Sequence, residues 1–255
     1  MTTRIPILGS AIDIIASYEM AYQRLTNYLH NRDNQPSYIT VNNVHTVIEG
    51  VLARDYQQIT NNALMAFPDG KPLSVIARWK GAENIERIFG PTFLEKALDW
   101  GQRDGLKHFF YGGSEETLKK LLDQCQQRFP NLHIAGAISP PFRDLTPAEK
   151  EYYINQINAS GADIIWVALG APKQERWMAE NYRRLDRGVM IGIGAGFDYL
   201  AGNTQHAPKW MKDFALEWLY RLIQEPGRLW KRYLVTNSLF MYYILLERLG
   251  LRRFG

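Results

Sequence analysis

The stretch Trp166–Arg176 (WVALGAPKQER) carries an apolar run to a stop at Gly170 and turns at once into helix-forming sequence, and Ile191–Asp198 (IGIGAGFD) repeats the design a short way on. Continuous apolar runs of this kind suit strands covered on both faces, as in a parallel sheet. In the first copy Gly170 has no Cβ, Pro172 suits the first helical position, and Lys173, Gln174 and Glu175 open a helix running on through Trp177 and Met178. A helix starting there aims free backbone N–H groups and the positive end of its dipole past the strand tip, which favours a phosphate or diphosphate. The second copy offers Gly192, Gly194 and Gly196, then Asp198, an acceptor suited to a ribose hydroxyl or a base edge. Singly, each is equally an ordinary strand-to-helix turn. As a pair they predict a nucleotide crevice at the carboxyl edge of a parallel sheet.

The surrounding pattern agrees. Leu106–Gly113 predicts a strand with a glycine exit, Ser114 starts a helix to Phe129, and Leu132–Ile138 is the next strand. Thr146, Pro147 and Glu149 form a capping-box signature for a helix to Asn158, and strands follow at Asp163–Leu169 and Gly188–Ile193. Upstream, residues 6–30 predict a short strand and a helix ending near Asn31, Tyr38–Val41 a strand, Thr46–Arg54 a helix, and Ala63–Phe67 a strand. This alternation predicts an α/β fold: a Rossmann-like, mostly parallel sheet flanked by helices. The core is expected over 1–204, with an N-terminal acceptor-side half to about 104 and a nucleotide-binding half over about 105–204.

Residues 205–255 stand apart as a helical, basic appendage. From Gln205 onward nine Lys and Arg face four acids, a charge of +5 against a chain total of +4, so the rest is about −1. Trp210, Trp218, Trp230, Tyr220, Tyr233, Tyr242 and Tyr243 are interleaved with that charge, a mixture suited to an anionic membrane surface and also to nucleic acid. Phe214, Trp218, Leu219, Leu222 and Ile223 share one helical face, and Pro226-Gly227 breaks it. The uncharged stretch Leu234–Leu246 falls short of the ~20 residues that span a bilayer, leaving it to lie in the interface or to pack on the core. A lone cysteine, Cys125, and an N-terminal apolar run interrupted by Asp13 and Glu19 set the cytosol as the expected compartment.

Two strand exits in the first half carry polar groups. Asn42, Asn43 and His45 follow one, with a plain Asn turn as the simplest account; Pro68-Asp69-Gly70 pins a carboxylate at the other, in residues that also make ordinary turns. Arg87 is a candidate anion partner. No Asp-x-Asp occurs, and His30, His45, His108, His133 and His206 lack ligand spacing, so no metal site is expected.

In these residues the chain resembles the WecG/TagA/CpsF glycosyltransferases of bacterial surface-polysaccharide and wall-teichoic-acid synthesis. The likeness runs through Thr40-Val41-Asn42, Pro68-Asp69-Gly70, Arg87 with Gly90, Tyr111-Gly112-Gly113, Leu169–Glu175, Gly194–Asp198, Ala207-Pro208-Lys209-Trp210 and Leu216–Leu222 with Glu225-Pro226 and Arg228. It implies an inverting, metal-independent enzyme, without cofactor, that moves a sugar from a UDP-sugar to a polyprenyl-diphosphate-linked saccharide while peripherally attached to the inner face of the cytoplasmic membrane. It implies no nucleic-acid partner and leaves homo-oligomerisation open. By resemblance Asp69 is the general base, Thr40 and Asn42 stand beside it in the sugar pocket, and Arg87 and Gln174 contact substrate. Asp198 holds the uridine, and Arg221, Arg228 and Arg232 close over the site or meet lipid. Gly170, Lys173 and Gly194 complete the expected binding set. His206 stands where Arg is usual and Thr92 where Asp is common, which bears on sugar choice. The chemistry fits: inversion is one displacement in which a single carboxylate takes the acceptor proton, and a helix start with arginines can replace a metal at the leaving diphosphate. Two other readings use the same features. A nicotinamide or flavin oxidoreductase would use the glycines, although Tyr111-Gly112-Gly113 is not Gly-x-Gly-x-x-Gly; a non-catalytic adaptor would use the basic tail.

Overall fold

The computed structural model describes residues 3–31, 35–208, 210, 211 and 216–254. Strands β1 (Arg4–Ile7) and β2 (Ser10–Asp13) form an antiparallel hairpin, followed by α1 (Tyr18–His30). The sequence reading expected one strand there. The hairpin turns on Leu8 and Gly9, both at positive φ, which is the two-residue geometry that usually announces itself as Asn-Gly. Leu8 is held in it by complete burial.

The main body runs β3 (Ser37–Asn42), α2 (Val44–Leu52), α3 (Arg54–Asn62), β4 (Met65–Pro68), α4 (Lys71–Trp79), α5 (Gly90–Asp104), β5 (Lys107–Gly112), α6 (Glu115–Arg128), β6 (His133–Ile138), α7 (Pro147–Ser160), β7 (Ile164–Ala168), α8 (Lys173–Asn181), β8 (Val189–Gly192) and α9 (Gly196–Leu200). All six strands from β3 to β8 pair in parallel, in the order β4-β3-β8-β7-β5-β6, so the fold is the Rossmann-like sheet expected. The helix expected at Thr46–Arg54 is α2, and a further helix, α3, follows it, since Ala53 ends α2 and caps α3 in an extended conformation.

Period-two alternation sorts the sheet's side chains into two layers. Phe110, Ile164, Trp166 and Ile191 pack under α1, α5, α6 and α9, while Phe109, Tyr111, Ile165, Val167 and Met190 pack against α7 and α8. A third cluster joins the hairpin to α2 and α4. At the sheet edge the Asp13 carboxylate accepts the Ala66 N–H of β4 at 2.7 Å and meets Arg4 Nε at 3.0 Å, which satisfies an edge donor and holds β4 in place.

The chain leaves β5 through α6 toward β6, and leaves β7 through α8 toward β8 on the other side. The neighbours β5 and β7 therefore diverge at their carboxyl ends, where a crevice must open. Gly112 closes β5 there with φ +119°, and a Cβ on it would sit 2.4 Å from the Ala168 carbonyl oxygen of β7. Only glycine fits.

The appendage forms α10 (Glu217–Gln224) and α11 (Pro226–Arg248). Of the two placements foreseen for Leu234–Leu246, packing on the core is seen for one face of α11, and the opposite face is open. Phe240, with Leu239, Tyr243 and Ile244, packs on the hairpin-side cluster, whereas Leu234, Val235, Met241, Tyr242 and Leu245 are exposed. Among the described residues no helix is long and apolar enough to cross a membrane.

Candidate active site at the carboxyl edge of the sheet

Two chambers open along this edge. The first, about 490 Å³, is polar and is walled by the tips of β5, β7 and β8: Gly113, Gly170, Gln174, Gly194 and Asp198 all line it. The second, about 280 Å³, is mostly apolar and lies between α2, α4 and the appendage, with Trp218, Leu229, Tyr233, Phe240 and Met241 on its wall. Asn43, Asp69, Phe89, Arg221, Leu229 and Arg232 line both. Asp69 thus stands where the chambers meet.

The local sequence explains that position. Asp69 follows β4 directly, and its N–H and that of Gly70 donate to the Asn42 carbonyl of β3 at 2.8 and 3.3 Å, so two parallel strand tips fix the turn. Its carbonyl accepts from Arg87 Nε, and Arg87 Nη2 lies 3.5 Å from Oδ1. The side chain is 16% exposed, and burial pushes its pKa up to about 6 against the pull of Arg87, with the Glu217 carboxylate adding to the rise. That value suits a group which must be ionised near neutral pH and still take a proton.

At the tip of β7, Gly170 has φ +78° with nothing within 4 Å of where a Cβ would stand, so conformation alone selects glycine. Pro172 caps α8 and does not occupy its first helical position. The Gln174 N–H donates to the Gly170 carbonyl at 2.9 Å and proline has none, while Ala171, which lines the polar chamber, does carry an N–H. The buried Gln174 side chain is committed within the protein: Oε1 accepts the Gly194 N–H at 3.0 Å, and Nε2 donates to Glu175 Oε1 at 2.7 Å. It ties the tips of β7 and β8 together while facing the polar chamber. Asp198, in the first turn of α9, is half-buried on that chamber's wall, with Asn203 Nδ2 3.4 Å from Oδ1.

Three expected ligands stand elsewhere. Thr40 and Asn42 share one face of β3, the face covered by α3; both are buried, Asn42 Nδ2 donates to Thr40 Oγ1 at 2.9 Å, and Thr60 Oγ1 donates to Asn42 Oδ1 at 3.3 Å. Their neighbours Val41 and Asn43 are the residues on the chamber wall, and Asn43 also caps α2 with a capping box. Lys173 is exposed and lines neither chamber, because the first turn of α8 points it outward. The side chain of Arg228, like Lys209 and Phe214, lies outside the described residues.

Arg221 is half-buried, its guanidinium 5.9 Å over the Tyr199 ring and its Nη2 3.8 Å from Glu225. Glu217, absent from the sequence-based site, is 6% exposed and pairs with Arg87 Nη1. Along the apolar face of α10, Leu219 and Leu222 are half-buried while Trp218 is 39% and Ile223 68% exposed. Near the mouth, His206 tilts against Tyr199 at 4.6 Å and lies 3.7 Å from Glu95, so it is engaged by α5 and α9. Among the described residues no three His, Cys, Asp or Glu side chains gather as a metal site would require.

A parallel sheet with a switch-point crevice, a glycine-lined chamber and a raised carboxylate at its inner end is the architecture of a Rossmann-like glycosyltransferase. Over residues 5–254 the sequence matches the family described as "Glycosyl transferase WecG/TagA/CpsF family", and the chain belongs to that family. It is similar to the N-acetylglucosaminyldiphosphoundecaprenol N-acetyl-beta-D-mannosaminyltransferase of Bacillus subtilis (strain 168), 32% identical over 197 residues, 77% of this chain and 74% of that protein. The protein of the same description from Bacillus spizizenii (strain ATCC 23059 / NRRL B-14472 / W23) is 30% identical over 210 residues, 82% of this chain and 78% of the other. Membership leaves no place for the oxidoreductase reading.

Proposed function

We propose that this glycosyltransferase moves a hexosyl residue, with inversion and without a metal ion, from a UDP-sugar to a saccharide carried on polyprenyl diphosphate. The observation that carries the reading is Asp69 on the shared wall of a polar and an apolar chamber. In this reading the polar chamber takes the nucleotide: Asp198 accepts from the uridine or its ribose, and the Ala171 N–H with Arg221 and Arg232 meets the diphosphate. The apolar chamber, under Tyr233, Phe240 and Met241, takes the lipid-proximal part of the acceptor. The names of the two Bacillus relatives support this choice of acceptor, and their N-acetylmannosaminyl group is the first donor sugar to try.

The acceptor hydroxyl attacks the anomeric carbon from the face opposite UDP, its proton passes to Asp69 as the new bond forms, and the diphosphate leaves with the bonding electrons. Arginines and helix-end N–H groups stabilise the charge that develops on the leaving group. The exposed apolar face of α11, which also carries Lys231, lies on the anionic lipid surface that holds the acceptor in this reading.

Incubating the protein with a panel of UDP-sugars and a polyprenyl-diphosphate-linked N-acetylhexosamine tests this directly. Acceptor-dependent UDP release with at least one donor is expected, retained in EDTA and lost in Asp69→Asn. No release with any donor, or native turnover by Asp69→Asn, would sink the reading.

A further inference from the structure

Arg87 serves two carboxylates from different parts of the chain. Its Nε and Nη2 face the Asp69 carbonyl and carboxylate, its Nη1 pairs with Glu217 from α10, and its guanidinium lies 4.5 Å over the Phe89 ring. Glu217 is 6% exposed, a costly place for an acid in a pocket otherwise arranged for anionic ligands. If seating the appendage were its whole purpose, an apolar residue at the start of α10 would serve as well, since buried ion pairs gain little over hydrophobic packing.

We propose that Glu217 is a positioning residue for the reaction: by taking one arm of Arg87 from the appendage, it keeps that cation from quenching Asp69, so the base is armed only while α10 is seated. The inference rests on Asp69 being the base. Without Glu217 the full positive charge of Arg87 would fall to Asp69 alone, at the 3.5 Å contact that now shares it. The Glu217 charge also opposes ionisation of Asp69 directly, and both effects act in the same direction. The other groups that face Asp69 are Arg221 from α10, Tyr18 from α1, Tyr199 from α9 and Tyr233 from α11. His45, Lys71 and Arg232 share the wall of the adjoining chamber. Among the described residues the carboxylates that pair with Arg87 are those of Asp69 and Glu217.

The test is a carbon-13 NMR titration of the Asp69 carboxyl in the full chain, assigned by difference from Asp69→Asn. It needs neither donor nor acceptor. A midpoint near pH 6 is expected for the native chain, about one pH unit lower in Glu217→Gln. Glu217→Asp, with its charge one methylene further away, should give a smaller fall. An unmoved midpoint in folded Glu217→Gln overturns the proposal, as does an unmoved midpoint in Glu217→Asp should the Gln variant not fold. Turnover by Asp69→Asn reports separately on whether Asp69 is the base, so failure of the coupling and failure of the base assignment remain distinct.

Discussion

The two chambers are built from different materials. The polar one is floored by strand tips and helix starts of the sheet, with glycines where chain must approach chain, and shares Arg221, Leu229 and Arg232 of the appendage with its neighbour. The apolar one is made of side chains, brought together from α2, α4 and two helices far along the sequence. Backbone positions in the first are set by the same hydrogen bonds that hold the sheet, whereas the second exists only while the appendage is docked. The difference implies that the polar chamber, proposed for the nucleotide, is rigid and intolerant of substitution, and that the apolar one, proposed for the acceptor, can be altered without unfolding the protein.

The residue that joins the chambers gives the largest expected effect. Asp69→Asn keeps the shape of the side chain and removes the proposed base, so turnover should fall by about 10²–10⁴-fold with nucleotide affinity little changed. A steady-state comparison with UDP binding measured in parallel checks both halves. A fall in binding equal to the fall in turnover would make Asp69 a ligand and not a base.

Next is the contrast in tolerance. Gly112→Ala places a methyl group 2.4 Å from a backbone oxygen in a residue at positive φ. Neither strand can yield, and a loss of about 3 kcal/mol is expected, roughly 6–12 °C in Tm. Met241→Ala, on the wall of the apolar chamber but 69% exposed, should stay within about 0.5 kcal/mol of the native chain. Equal melting temperatures for the two variants would erase the distinction between the chambers.

The same contrast decides what could be read from the sequence. The parallel sheet, the glycine exits, the capping box at Thr146 and the turn carrying Asp69 all rest on local backbone requirements, which leave marks within a few residues. Thr40 and Asn42 were misplaced because a strand's pleat puts alternate residues on opposite faces, and which face the site uses is set by where α3 packs. Glu217 is illegible in the sequence for a related reason. On a helical wheel it lies among residues that should face water, and only the docking of α10 on Arg87 reverses the order, burying the acid and exposing Trp218 and Ile223. Lys173 was overvalued because a helix start attracts anions through its backbone, while its first side chain points outward.

Asp69 should also cost stability. Its pKa is higher folded, at about 6, than in the unfolded chain, so the folded state binds the proton more tightly. Stability therefore falls as pH rises from the ordinary carboxylate range to about 6 and stays low above it, by at most about 3 kcal/mol. Asp69→Asn should melt higher than the native chain at pH 8, with the gain shrinking toward zero near pH 4. A gain that grew on acidification would mean that Arg87 dominates the site and that burial does not.

The smallest effect concerns the outer face of α11. Removing the whole helix would strip Phe240 from the core cluster it completes, so single substitutions isolate the surface better. Lys231 is exposed on this face beside Trp230, where a basic residue near an anionic bilayer contributes about 1 kcal/mol. Lys231→Gln should weaken sedimentation with phosphatidylserine-containing liposomes by about fivefold, with no change in Tm. In the proposed attachment the apolar half, from Leu234, Val235 and Leu245, is indifferent to salt, while the charged half is screened over about 8 Å at physiological ionic strength. Raising the salt should therefore bring native and Lys231→Gln together without abolishing binding. Complete release of both at high salt would show that charge alone holds the protein to lipid, and the apolar face of α11 would need another occupant.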